Sequence, residues 1–262
     1  MKIEYEGIHF HIASTSSIER NLVKLKIKKS IGKVIRKPYI KDPYLSFCET
    51  VLEKSDSPLV VDVGANIGTT VLPLAKRFPN AQFIAIEPHP LPAARFIQNC
   101  QFNNLFNVSL VNAAIGSKIE LVKIYTCPSN SGGHRVTGFE GRNDFVKLSS
   151  LDHVSVLSCP LKNIFNYFKI HHCSMLKIDV EGLECQVIES LGEMLNPSYI
   201  NVVVAEYGPE GMRKAGKIGW DLVQMMLAKG YRCQELITKK SIFSKSDIPV
   251  LPDYAVTDFI FT

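Results

Sequence analysis

Acidic residues close four apolar runs in this chain. Asp62 lies in Leu59-Val60-Val61-Asp62-Val63-Gly64-Ala65-Asn66-Ile67-Gly68, and Glu87 ends Phe83-Ile84-Ala85-Ile86. Asp179 and Glu181 end Met175-Leu176-Lys177-Ile178, and Glu206 ends the run from Ile200. Gly64 and Gly68 stand four apart behind the first acid, as in a turn that lets backbone approach a ligand closely. A dinucleotide fingerprint needs GxGxxG, but Asn66 occupies the place of its second glycine. Asp62 would repel a phosphate. An acidic turn suits a cationic ligand, and S-adenosylmethionine carries both an amine and a sulfonium. Glu87 follows Gly68 by 19 residues, where a strand-end carboxylate takes both ribose hydroxyls of a nucleotide.

Buried parallel strands and helices must hold these groups. Leu59 to Val63 reads as a buried strand, and Ile67, Val71, Leu74, Ala75 and Phe78 follow at helical spacing. Pro73 falls inside that helix and is expected to kink it or force a local adjustment. A second strand ends at Glu87. A helix then runs from the prolines at 88, 90 and 92 to about Asn104. Val108 to Ile115 forms a third strand. Residues 116–159 lack a helical period and read as an insertion of strands and loops, including Ser129 to Arg135. Residues 161–170 form a short helix, Met175 to Gly182 a fourth strand, Leu183 to Leu195 a helix, and Ile200 to Glu206 a fifth strand. A helix from Trp220 to Lys229 and strands at Tyr231–Ile237 and Tyr254–Phe261 complete the chain. Strands separated by helical segments imply a mostly parallel sheet with helices on both faces. Ahead of this core, Ile3 to Ile12 alternates around Gly7 as a hairpin, and a helix from about Tyr44 to Lys54 leads into the first strand.

The overall charge of +5 is local in origin. Residues 20–41 hold nine Lys or Arg and no acid, whereas acids outnumber bases elsewhere by 25 to 21. Residues 18–37 read as an amphipathic basic helix, either packed on the core or meeting an anionic surface, with a linker between Pro38 and Pro43. Nucleic acid is not the expected partner, because RNA recognition uses stacking aromatics and the segment has none before Tyr39. No apolar run reaches the roughly 18 residues of a membrane span, and the first residues are not those of a signal peptide. Seven cysteines form no CxxC pair, which fits reduced thiols and a cytoplasmic location. Cys100 and Cys185 sit in helical patterns as core residues. His171 and His172 have no metal-site spacing, and His89 borders the expected adenosine pocket.

Val61 to Gly68, Ala85-Ile86-Glu87-Pro88, Leu176 to Gly182 and Val204-Ala205-Glu206 occur in one order over residues 59–206. In these blocks the chain resembles the FkbM family of S-adenosylmethionine-dependent methyltransferases. The resemblance implies the class I methyltransferase fold: a Rossmann-like, seven-stranded, mostly parallel α/β sheet with helices on both faces and an antiparallel final strand. It implies O-methylation of a sugar or polyketide-like hydroxyl. It places the cofactor on Asp62, Gly64, Ala65, Asn66, Gly68, Glu87, Pro88, Asn112 and Ala114. The chain divides accordingly into an N-terminal extension, residues 1–55, which matches nothing in the family, and a methyltransferase domain, residues 56–262. Where the family often has a Leu-Asp pair, this chain has Cys159-Pro160-Leu161-Lys162.

A hydroxyl is a weak nucleophile at neutral pH and needs a proton acceptor. Asp179 or Glu181 is the expected base, with Lys177 two residues earlier on the same strand face. Asp179 has a second reading, as a contact to the methionine part of the cofactor. Glu206 and His134 are expected to meet the acceptor, a small molecule or glycan. No resident metal is expected, although a second mechanism would set Mg²⁺ on Asp179 and Glu206. The rival functions are a class I methyltransferase acting on RNA or protein through residues 20–41, and a non-catalytic module that kept the fold.

Overall fold

The computed structural model describes residues 2–11, 42–125, 135–136, 153–253 and 255–262. The basic segment 20–41, His134 and Cys127 lie outside these residues. The chain opens with strands β1 (Lys2–Tyr5) and β2 (Ile8–His11), paired antiparallel. Glu6 and Gly7 between them both have positive φ, the backbone that a two-residue hairpin turn requires. Helix α1 (Pro43–Leu52) starts at Asp42, whose side chain accepts the N–H of Tyr44, with proline in the first turn.

The core then alternates: β3 (Leu59–Val63), α2 (Val71–Arg77), β4 (Gln82–Ile86), α3 (Pro90–Phe102) and β5 (Val108–Val111). Next come β6 (Ala114–Ile115), β7 (Glu120–Tyr125), β8 (Arg135–Val136) and β9 (His153–Cys159). The return to the core is α4 (Leu161–Tyr167), β10 (Met175–Ile178), α5 (Glu184–Glu189) and β11 (Val203–Tyr207). The chain closes with α6 (Pro209–Lys214), α7 (Gly219–Ala228), β12 (Cys233–Glu235), β13 (Ser241–Ile242) and β14 (Thr257–Phe261). The main sheet has the order β13-β12-β14-β11-β10-β3-β4-β5. Strands β5, β4, β3, β10 and β11 are parallel, and β14 runs antiparallel to β11. The sheet therefore has the seven expected strands and a two-residue eighth, β13, at one edge. Strand order reverses between β3 and β10, and in open α/β sheets the ligand crevice lies at such a switch point.

Four differences from the sequence reading have local causes. Val108 to Ile115 is two strands, not one. The Asn112 side chain between them donates to the carbonyls of Glu87 and Pro88, and Ala114 then pairs with Ser158 in a separate sheet of order β6-β9-β7-β8. Pro73 does not break its helix. It is the third residue of α2, in the first turn, where a backbone N–H has no intrahelical partner to lose. The helix expected to Leu195 ends at Glu189 and is followed by a 3₁₀ turn, Gly192–Met194, in which Gly192 takes a φ of 60°. Ile200 makes only an isolated bridge to Cys173, so β11 begins at Val203.

The two faces of the sheet bury different layers. Val61, Val63, Leu176, Ile178, Val203 and Ala205 pack with residues of α4, α5 and α7. Val60, Met175, Val204 and Ile260 pack with the hairpin and with Leu45, Cys48, Val51 and Leu52 of α1. The hairpin and α1 thus share a core with the sheet.

Candidate functional site

The glycine turn after β3 is held by backbone. The N–H groups of Gly64 and Ala65 both donate to the carbonyl of Ile86, at 2.9 and 3.0 Å. Gly64 has a φ of +90°, and a Cβ there would lie 1.8 Å from the carbonyl oxygen of Asp179. Only glycine lets the two strand ends meet so closely. Asn66 also takes a positive φ, and its side chain accepts the N–H of Ile67 at 2.8 Å. A Cβ on Gly68 would strike the Leu72 side chain at 2.6 Å.

Glu87 closes this side. One carboxylate oxygen accepts the N–H of Asn66 at 2.9 Å and the other that of His89 at 2.8 Å. Burial raises Glu87 to about 7, against those two N–H groups, which lower it. Each oxygen keeps a second lone pair. His89 caps α3: its Nδ1 accepts the N–H of Leu91 at 3.2 Å. Pro88 and Asn112 adjoin this loop, whereas Ala114 lies buried in the second sheet.

The opposite side is a row of charge. Lys177 is aligned with Asp62 across β10 and β3, so both point to the face covered by α1. Its Nζ lies 3.3 Å from Asp62 Oδ1 and 3.1 Å from Asp179 Oδ2. Asp62 is 1% exposed: Lys177 meets its Oδ1, and its Oδ2 has no hydrogen-bond partner among the described residues. The Asp62 side chain is buried beside Lys177 under the turn. Burial alone would lower Lys177, yet the carboxylates of Asp179 and Asp62 hold it above its ordinary value.

Asp179 and Glu206 directly follow the paired Ile178 and Ala205, and Glu206 is itself aligned with Asp258 on β14. Three carboxylates therefore lie side by side across neighbouring strands, roughly 4.8 Å apart per strand. Burial, followed by Asp179, Glu181, Glu184 and Asp258, raises Glu206 well above its ordinary value. Burial raises Asp258 to about 7, although Lys177 opposes the shift. Glu184 at the start of α5 accepts the N–H groups of Val180 and Gly182, while its second oxygen is buried without a partner. Burial raises Glu184 to about 7. Glu181 and Gly182 both have positive φ, and a Cβ on Gly182 would lie 2.3 Å from the Gly211 backbone.

The structure thus gathers Asp62, Gly64, Asn66, Glu87, Lys177, Asp179, Glu181 and Glu206 around the carboxyl ends of β3, β4, β10 and β11. It adds Asp258, Glu184 and Tyr44, which sequence reasoning missed. An acid two positions before the buried Ile260 on an alternating strand was the available signal for Asp258. The cradle over Gly64 and the acidic charge of Asp62 and Asp179 beside it fit a ligand with a cationic amino group. Among the described residues, no group of three or more His, Cys, Asp or Glu is placed to hold a metal ion. No helix among them is long and apolar enough to cross a membrane.

The family model for the methyltransferase FkbM domain matches residues 62–233. The chain is 25% identical over 178 residues to "Methyltransferase 1" of Beauveria bassiana, covering 63% of this chain and 70% of that one. It is 25% identical over 206 residues to "Methyltransferase sdnD" of Sordaria araneosa, covering 70% and 80%. Among solved structures, an O-methyltransferase from Bacillus cereus in complex with SAH aligns with a TM-score of 0.49 and 10% identity, over 95% of this chain and 97% of that one. A precorrin-6y C5,15-methyltransferase from Geobacter metallireducens aligns with a TM-score of 0.47 and 12% identity, over 86% and 89%.

Proposed function

Because the chain belongs to the FkbM methyltransferase family, we propose that it is an O-methyltransferase acting on a hydroxyl of a small molecule or glycan. It is an S-adenosylmethionine-dependent methyltransferase. The acceptor class rests on one observation: Asp179 and Glu206 lie side by side on β10 and β11, with Asp179 packed against the glycine turn. An alcohol, unlike a thiolate or a free amine, must lose its proton to something as it attacks. Carboxylates at this place meet that need.

In this reading Gly64, Ala65, Asn66 and Gly68 shape the cofactor turn, and Asp62 supplies negative charge beneath it. Glu87 accepts the ribose hydroxyls, with Pro88 and Asn112 at the adenosine end. The bound cofactor supplies an activated methyl group on sulfonium. Asp179, or Glu181 beside it, accepts the hydroxyl proton, a contribution of roughly 10²–10⁴-fold. Lys177 orients Asp179 and is spent between two carboxylates, which leaves it no part as an anion receptor. Glu206 and His134 hold the acceptor. Fixing the hydroxyl against the methyl group contributes on the order of 7–11 kcal/mol. The division at residue 55 is proposed as one of chemistry rather than of packing. The six described cysteines are all free, which supports a cytoplasmic setting.

The test is transfer of radiolabelled methyl from S-adenosylmethionine to a panel of sugars and polyketide alcohols, with matched amines alongside. Label recovered as a methyl ether, and lost in Asp179→Asn, is the expected result. Label recovered only on nitrogen would overturn the hydroxyl assignment.

A further inference from the structure

The Tyr44 hydroxyl is buried and, among the described residues, meets no hydrogen-bond acceptor stronger than the Cys48 thiol. It stands in the first turn of α1, ahead of the family-matched span. Helix α1 packs against β10, and the groups whose charges act on Tyr44 are Cys48, Asp258 and Asp62. Cys48, one turn further along α1, lies in the field of Lys177 and Asp62. This turn of α1 therefore covers the Asp62–Lys177 pair. Its placement is fixed from outside the sheet: Asp42 caps α1, and the Tyr5 hydroxyl of the hairpin donates to Asp42 at 3.3 Å.

An unpartnered buried hydroxyl is costly unless a ligand or an ordered water meets it. The cofactor read above ends in an amino acid, which carries an ammonium and a carboxylate together. The ammonium suits Asp62 and Asp179. The carboxylate would enter a basin that already holds Asp62, Asp179 and Asp258, so it requires donors there. Lys177 has three N–H groups, and Asp62 and Asp179 already engage it. The Tyr44 O–H is a donor on the same face that, among the described residues, has only the weakly accepting Cys48 sulfur beside it.

We propose that Tyr44 on α1 donates its hydroxyl to the carboxylate at the methionine end of S-adenosylmethionine. This rests on the cofactor assignment and extends the cofactor site to the N-terminal extension, which the family match does not reach. The hairpin and α1 then act as a wall of the cofactor site. Tyr44 reads the amino-acid end, whereas Glu87 reads the ribose.

The test compares two ligands on the full chain by calorimetric titration. SAH has the amino-acid end; 5′-methylthioadenosine keeps the adenosine and the thioether but lacks that end. Tyr44→Phe should weaken SAH about tenfold and leave 5′-methylthioadenosine unchanged. Its Tm should not fall, because the variant keeps the ring and removes a buried hydroxyl that meets only a weakly accepting thiol among the described residues. Unchanged SAH affinity would assign the hydroxyl to a structural water and overturn the proposal. Equal weakening of both ligands, or a lowered Tm with both weakened, would place Tyr44 in packing alone and also overturn it. Wild-type protein that binds neither ligand overturns the cofactor assignment and this proposal with it.

Discussion

The two sides of the crevice are built in opposite ways. On the β3–β4 side, Gly64, Ala65, Asn66 and His89 place their N–H groups on Ile86 and Glu87. That side is complete without a ligand, and its geometry is set by glycines and main chain. On the β10–β11–β14 side, Asp179, Glu206 and Asp258 stand in a row, with Lys177 engaged by Asp62 and Asp179. A cofactor that never varies suits a rigid backbone cradle. In the proposed reading, a hydroxyl acceptor that must give up a proton falls to the row of carboxylates.

The strongest test of this contrast removes the group that joins the two sides. Lys177→Met leaves Asp62 buried and unpaired, and breaking such a pair costs roughly 3–5 kcal/mol. Urea melts should show that loss, with Asp62→Asn restoring part of it in the double variant. If Lys177→Met melts like the wild type, the pair does not join the two sides. Gly64→Ala attacks the cradle itself. The new Cβ would meet the Asp179 carbonyl at 1.8 Å on a backbone with a φ of +90°, so a loss of about 3 kcal/mol is expected, with S-adenosylmethionine binding abolished. A variant that keeps both would mean that β3 and β10 part more easily than their contact implies.

Legibility in the sequence divides along the same line. The cofactor side is a local feature: an apolar run, an acid and two glycines within ten residues, so β3, β4 and Glu87 could be placed to within a residue or so. The acceptor side depends on which strands become neighbours. Asp258 sits near the end of the chain in Thr257-Asp258-Phe259 and becomes a site residue only because β14 inserts beside β11. Tyr44 belongs to the crevice only because α1 shares a core with β10 and β3. The second fact leaves no trace in spacing, and the first leaves only the alternation that sets Asp258 two positions before Ile260. Asp62 shows the complementary case: its position at a strand end was legible, whereas its pairing with Lys177 was set by register.

The acceptor side should also register in stability against pH. Asp258 has an ordinary value of 3.8 and a folded value of about 7. Its folded state binds the extra proton between those values, so its contribution is full below about pH 4 and is lost as pH rises through about 7. Glu184, raised from 4.5 to about 7, acts in the same direction. The protein should melt higher at pH 5.5 than at pH 8. Asp258→Asn should flatten part of that slope and raise stability at pH 8, on the order of 2 kcal/mol. A slope equally steep in Asp258→Asn would show that the charge in this row is relieved in some other way.

The smallest effect expected is on the cofactor side, and it separates ribose recognition from recognition of the amino-acid end. Glu87→Gln keeps the shape but turns an amide NH₂ toward one of the two N–H groups that the carboxylate accepts. The turn loses one contact and the ribose loses an anionic acceptor, so S-adenosylmethionine should bind about tenfold more weakly, about 1.4 kcal/mol. Because the ribose is common to both ligands, SAH and 5′-methylthioadenosine should weaken alike, unlike the split expected for Tyr44→Phe. The pH dependence gives the sign. Glu87 ionises near 7 in the folded protein, and the carboxylate accepts hydroxyl protons better than the acid does. Cofactor affinity should therefore rise with pH through about 7 in the wild type and stay level in Glu87→Gln. A wild-type affinity that is level across that range would remove the ribose role from Glu87 and leave it as the brace that holds Asn66 and His89.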